Sequence, residues 1–123
     1  MEVKCIMIKI DAIVREEKYE EVKAALNAID VNGITISQVM GCGVQKGFKN
    51  VVRGKEIDIN MLPKIKFEIV VSSMEWAEKT IEVIKKSAYT GEHGDGKIFM
   101  YELMNAVRIR TGDEGDKAIY KVD

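Results

Sequence analysis

Apolar side chains recur at every second position through residues 4–14, where Ile6, Ile8, Ile10, Ala12 and Val14 fall on one face. That period predicts a half-buried strand. The period then lengthens: Tyr19, Val22, Leu26 and Ile29 in residues 16–29 carry the spacing of an amphipathic helix. The same succession returns later. Ile65, Phe67, Ile69 and Val71 alternate within 64–71, and Ala77, Ile81, Ile84 and Ala88 follow at helical spacing. Further strands are expected at 34–44, 97–104 and 106–110, and Pro63, the only proline, is expected where a loop turns into a strand. Strand, helix, strand, strand, helix, strand is the order of an α+β, ferredoxin-like split βαβ sandwich with its helices on one sheet face. The other face mixes Met7, Ile13, Val39 and Val70 with Lys9, Asp11 and Glu68. Such a mixture is expected to pack against other subunits rather than face water.

A connection of about 20 residues, from Gly43 to Pro63, interrupts this plan, and inside a compact domain that length is usually functional or disordered. Lys46, Lys49, Arg53 and Lys55 stand there against Glu56 and Asp58, with Phe48, Val51, Val52, Ile57 and Ile59 between them. Two readings are open: a long β-hairpin turning at Arg53-Gly54-Lys55, or a mobile arm that inserts into a partner.

Length and charge narrow the class. At 123 residues the chain reads as one domain, 1–123, with 46% hydrophobic and 32% charged residues. A net charge of -1 argues against bulk nucleic-acid or membrane-surface binding. No apolar run approaches the roughly 20 residues of a membrane span. Seven Met with only two Cys fit a reducing cytoplasm, and Cys5 with Cys42 make no metal-ligand set.

Candidate chemistry gathers at Thr90-Gly-Glu-His-Gly-Asp-Gly-Lys97. Gly94-Asp95-Gly96 alone would read as a hairpin turn. With Lys97 beside it, and Arg108 and Arg110 alternating downstream on an expected strand, it reads as a backbone cradle for phosphate. The match of Gly91 to Lys97 with a Walker A loop is superficial, because Ile98 stands where Ser or Thr must hold magnesium and no helix follows. Gly41-Cys-Gly43 with Gly47 likewise fails the dinucleotide fingerprint. His93, the only histidine, has no Ser or Cys partner and reads as a solvated loop residue. Trp76 reads as a packing residue, and Asp95, set between the loop glycines, is the acidic candidate for a small ATP-hydrolysing enzyme, the competing reading from another class. An RNA-binding module would need an aromatic-rich sheet that is not present.

Motifs in order along nearly the whole chain resemble the PII nitrogen-regulatory signal-transduction family: Ile10-Asp-Ala-Ile13, Gly33-Ile-Thr35, Gly41-Cys-Gly-Val-Gln-Lys-Gly47, Leu62-Pro-Lys64 through Val71, Gly94-Asp-Gly-Lys-Ile-Phe99 and Arg108-Ile-Arg-Thr-Gly112. The resemblance implies a homotrimer with no catalysis and a cleft for ATP or ADP between neighbouring subunits. Ile13, Gly41, Gly43, Glu68, Val70, Gly94, Asp95, Gly96 and Lys97 would come from one subunit, and Gly33, Ile34, Thr35, Arg108 and Arg110 from the next. It also implies 2-oxoglutarate bound beside Mg²⁺ and ATP by Gln45, Lys46, Lys64 and Gly94, with Gln45 as the metal ligand. The excursion corresponds to the T-loop (about 43–63), flanked by a B-loop (about 89–97) and a C-terminal loop (about 108–115). Its expected partner is a target enzyme, a regulator or an ammonium channel. Ile57 stands where many relatives carry a modifiable tyrosine, and no Ser, Thr or Tyr occurs from Val44 to Pro63, so hydroxyl modification of this arm is chemically impossible. That absence favours the branch regulating nitrogenase directly. Val44 replaces an arginine frequent near the terminal phosphate, which leaves the ATP-to-ADP preference open.

Overall fold

The computed structural model describes residues 6–31, 33–43, 50–52, 55–57 and 60–120. Strand β1 (Met7–Arg15) leads through a 3-10 turn (Glu16–Lys18) into helix α1 (Tyr19–Ala28). Strand β2 (Thr35–Gly43), the short strands β3 (Asn50–Val52) and β4 (Lys55–Ile57), and the long strand β5 (Asn60–Val71) follow. Helix α2 (Met74–Ala88), strand β6 (Gly96–Leu103) and a short helix α3 (Asp116–Tyr120) complete the described residues. The main sheet is antiparallel in the order β2-β5-β1-β6. This is the ferredoxin-like arrangement expected from the hydrophobic pattern.

Local chemistry accounts for the element ends. Acidic Glu16, Glu17, Glu20 and Glu21 crowd the amino-terminal end of α1, where the helix dipole favours them. The helix stops in a Schellman motif: Val31 N–H donates to the Leu26 carbonyl at 3.0 Å and Asp30 N–H to that of Asn27 at 3.0 Å. Asp30 supplies the left-handed residue this stop requires, at φ 62°. On α2 the Ser73 hydroxyl accepts from Trp76 N–H at 3.1 Å, and Lys85 and Lys86 sit in the last turn.

The core lies between the helices and one sheet face. Ile8, Ile10, Ala12 and Val14 from β1 and Ile65, Phe67, Ile69 and Val71 from β5 meet Val22, Leu26, Ala77, Ile84 and Ala88 from the helices. Ile6, placed with this set by its spacing, precedes β1 and is exposed. Pro63 does not begin a strand; β5 starts at Asn60, and Pro63 lies within it opposite Met40. β1 joins β5 only from the Arg15–Lys64 pair onward. At Pro63 one side of β5 is therefore unpaired with β1, and a residue without N–H is tolerated. In the excursion, β3 pairs antiparallel with β4, so the hairpin reading of that segment holds in part. Residues 44–49, 53–54 and 58–59 lie outside the described residues.

The opposite sheet face is charged in a patterned way. Lys9 Nζ donates to Glu68 at 2.8 Å, Lys66 lies 3.9 Å from both Glu68 and Asp11, and the Tyr101 hydroxyl donates to Asp11 Oδ2 at 2.6 Å. Two cations thus balance two anions on the middle of the sheet. The hydrogen bond to Glu68, then that with Tyr101, raises the Lys9 ammonium above its ordinary range, so it stays charged at neutral pH.

Candidate functional site

One end of this sheet carries the glycine loop. β1, β5 and β6 are in register so that Lys66, Ile13 and Lys97 form one row across three strands, with Lys64 and Arg15 in the next row toward the end. Directly opposed residues share a face, so these four cations and Ile13 line the side away from the helices. The α2-to-β6 connection folds over this end.

Asp95 organises the connection. Its Oδ2 accepts from Thr90 N–H at 2.9 Å and from Gly91 N–H at 3.0 Å. Its Oδ1 accepts from the Thr90 hydroxyl and, at 2.9 Å, from Arg15 Nε. The Thr90 hydroxyl in turn accepts from Glu92 N–H at 3.1 Å. The Thr90 hydroxyl and amide, followed by Arg15, hold the Asp95 carboxyl well below the usual carboxylate range, so it is ionised at neutral pH. Arg15 Nη2 also donates to the His93 carbonyl at 2.6 Å, and Lys64 Nζ donates to the Gly94 carbonyl. At Gly96, with φ 107°, a Cβ would stand 1.8 Å from the Ile13 carbonyl oxygen. Only glycine lets the loop enter β6 here.

Several expected site residues meet at this end: Ile13, Lys64, Gly94, Asp95, Gly96 and Lys97, with Gly41 close enough to Lys64 that a Cβ would lie 3.1 Å from its Cγ. Lys97 is exposed on its strand. Asp95 spends its carboxylate on the loop's own shape. Glu68 and Val70 lie farther along β5, Glu68 engaged by Lys9 and directly opposite Thr35. Gly33 and Ile34 precede Thr35 at the entry to β2, and Gly43 ends that strand. Gln45 and Lys46 lie outside the described residues. His93 is exposed as expected, although its carbonyl is an anchor point of the loop.

The arginines correct the sequence reading. Residues 106–110 form no strand; only Val107 makes a bridge, to Glu114. Arg108 N–H donates to the Asp113 carbonyl and Gly112 N–H to that of Arg108, which closes a turn. Within it the Arg108 side chain is buried, reaching Asp113 at 3.4 Å and the Ala118 carbonyl at 3.1 Å, whereas Arg110 is exposed. The two therefore do not share a face. Moreover, β6 starts opposite Val14 and ends opposite Met7, so it carries the chain from the glycine loop to the far end of the sheet, roughly 24 Å along the strand. The arginine turn follows from that far end.

The family model described as nitrogen regulatory protein P-II matches residues 7–113. The chain is 48% identical to nitrogen regulatory protein P-II 1 of Methanothermobacter thermautotrophicus, over 92% of this chain and 97% of the relative. It is 39% identical to the regulatory protein GlnK of Escherichia coli, over 89% and 97% respectively. Among solved structures, the ATP complex of Bacillus subtilis GlnK superposes with a TM-score of 0.76 at 38% identity, covering 93% of this chain and 98% of that one. Arabidopsis thaliana PII bound to citrate gives 0.72 at 36% identity, covering 94% of each.

Proposed function

Because this chain belongs to the nitrogen regulatory protein P-II family, and so is a regulatory signalling protein rather than an enzyme, we propose that it reports nitrogen, carbon and energy status by binding ATP or ADP and 2-oxoglutarate. The nucleotide polyphosphate lies on the amides of Gly94, Asp95 and Gly96 with Lys97 beside it. Ile13, Gly41, Gly43, Glu68 and Val70 complete that subunit's side, and Gly33, Ile34, Thr35, Arg108 and Arg110 come from a neighbour in a homotrimer. The carrying observation is the run of β6, which takes the chain from the glycine loop to the opposite end of the sheet before the arginine segment begins. One chain supplies half a cleft at each end, and a symmetric ring brings unlike halves together. The ATP complex of the Bacillus subtilis relative supports the ligand class.

Mg²⁺ fits as a companion of the nucleotide. Among the described residues no three His, Cys, Asp or Glu side chains are grouped to hold a metal. The Gln45 amide oxygen is a hard donor of the kind magnesium takes alongside phosphate oxygens. Gln45 would hold the ion, which would supply positive charge there for the 2-oxoglutarate anion. Lys64 and Lys46 supply charge to the dicarboxylate, and Gly94 the neighbouring backbone. Ligand state then selects conformations of residues 43–63, through which a cytoplasmic enzyme, regulator or ammonium channel is contacted. With no hydroxyl there to modify, ligands alone must drive the arm. An almost complete switch needs about 5 kcal/mol of differential binding. The unmodifiable Ile57 position favours a direct nitrogenase regulator as the second reading.

Calorimetric titration of 2-oxoglutarate is expected to give binding with Mg·ATP and none with Mg·ADP, and Gln45→Ala should abolish it while sparing most ATP affinity. Equal 2-oxoglutarate affinity with either nucleotide would remove the metal-bridged site.

A further inference from the structure

Arg15 has no part in the ligand contacts above, yet it holds the loop that makes them. It is the last residue of β1, directly opposite Lys64 on β5. Two cations side by side on a sheet repel unless each has acceptors of its own. Here the loop supplies them: the His93 carbonyl and Asp95 carboxylate for Arg15, and the Gly94 carbonyl for Lys64. Glu17, a further anion 3.8 Å from Arg15, is largely exposed.

The consequence follows from peptide geometry. The described chain has no cis peptide bond, and in a trans unit the C=O of one residue points opposite to the N–H of the next. Drawing the carbonyls of residues 93 and 94 down onto Arg15 and Lys64 turns the N–H groups of Gly94 and Asp95 away from the sheet. Two successive N–H groups facing one way make an anion nest. We infer that Arg15 is a positioning residue: it sets the orientation of the 93–94 peptide and anchors Asp95, so that the loop is shaped for a polyphosphate before one arrives. This rests on the nucleotide reading of the loop.

The guanidinium fork reaches a carboxylate and a carbonyl at once. An ammonium at the same place has no such fixed geometry, so lysine is a poor replacement.

The test compares wild type, Arg15→Lys and Arg15→Ala as full-length proteins, titrated with Mg·ATP, with amide hydrogen exchange measured on the ligand-free forms. Arg15→Ala should bind ATP on the order of tenfold more weakly, as expected for losing charged hydrogen bonds, with Arg15→Lys recovering only part. Exchange at Thr90 and Gly91, whose N–H groups donate to the Asp95 carboxylate that Arg15 anchors, should rise while β1 and α2 stay protected. Unchanged ATP affinity in Arg15→Ala, or a loss matched by faster exchange throughout the core, would overturn the inference. If wild type itself ignores ATP, the nucleotide reading falls; faster loop exchange in Arg15→Ala would still uphold the anchoring, and unchanged exchange would end it.

Discussion

Replacing Gly96 by alanine is expected to destabilise the protein by more than about 4 kcal/mol, beyond most single substitutions. Two costs coincide. The backbone sits at φ 107°, a conformation L side chains rarely adopt, and the added methyl would meet the Ile13 carbonyl oxygen at 1.8 Å. That oxygen belongs to β1, an inner strand, so relief requires parting β1 from β6 beside the Val14–Gly96 and Ile13–Lys97 pairs. Nothing flexible is available to give way. Gly33→Ala is the control: it also has positive φ, but nothing lies within 4 Å of its Cβ. It should cost only about 1–2 kcal/mol. Urea unfolding at equal protein concentration separates the two, with the Gly96 variant's midpoint lower by about 2 M. Since the same glycine admits Lys97 to its strand, that variant should also lose ATP binding under conditions where it remains folded.

A comparable loss is expected from Phe67→Ala, about 3–5 kcal/mol, through a different mechanism. Phe67 is fully buried at the middle of β5, with Ala12 opposite on β1 and Ile36 on β2. Its ring stacks on Tyr19 at a centroid distance of 6.1 Å, tying the first turn of α1 to the sheet. Truncation removes that ring contact and leaves a cavity between layers that close-packed neighbours cannot fill. Phe67→Leu, which retains most of the volume, should recover most of the stability. Calorimetric melting of both variants checks this, and an alanine variant melting like wild type would show that the helix layer does not depend on this contact.

The alternating apolar residues of β1 and β5 and the helical spacing of α1 and α2 made the sandwich legible, because burial on one face imposes those periods directly. The glycine loop was legible too, since only glycine serves where the backbone turns back so sharply. Arg15 was not. Its partners Asp95 and His93 lie 80 and 78 residues away, and only the strand register brings them together. The arginine segment was misread for an instructive reason. Arg108-Ile109-Arg110 has the alternation of a strand, yet Ile109 is 99% exposed while Arg108 is 8% exposed, the reverse of an ordinary pattern. The signals were the glycines at 112 and 115 and the acceptor Asp113 between them, which together close a turn around Arg108. Exposed Ile109 and Val107 beside Arg110 are what a segment meant for another subunit would present.

Complementation between two damaged subunits tests directly whether this segment serves a neighbouring subunit. Lys97→Ala and Arg110→Ala should each abolish measurable ATP binding when purified alone. Co-expressed in equal amounts, they should form mixed trimers in which about one site in four receives Lys97 from one chain and Arg110 from another. Calorimetry is then expected to recover near wild-type affinity at that reduced stoichiometry. A mixture as silent as either variant alone would contradict a nucleotide site shared between copies of this chain.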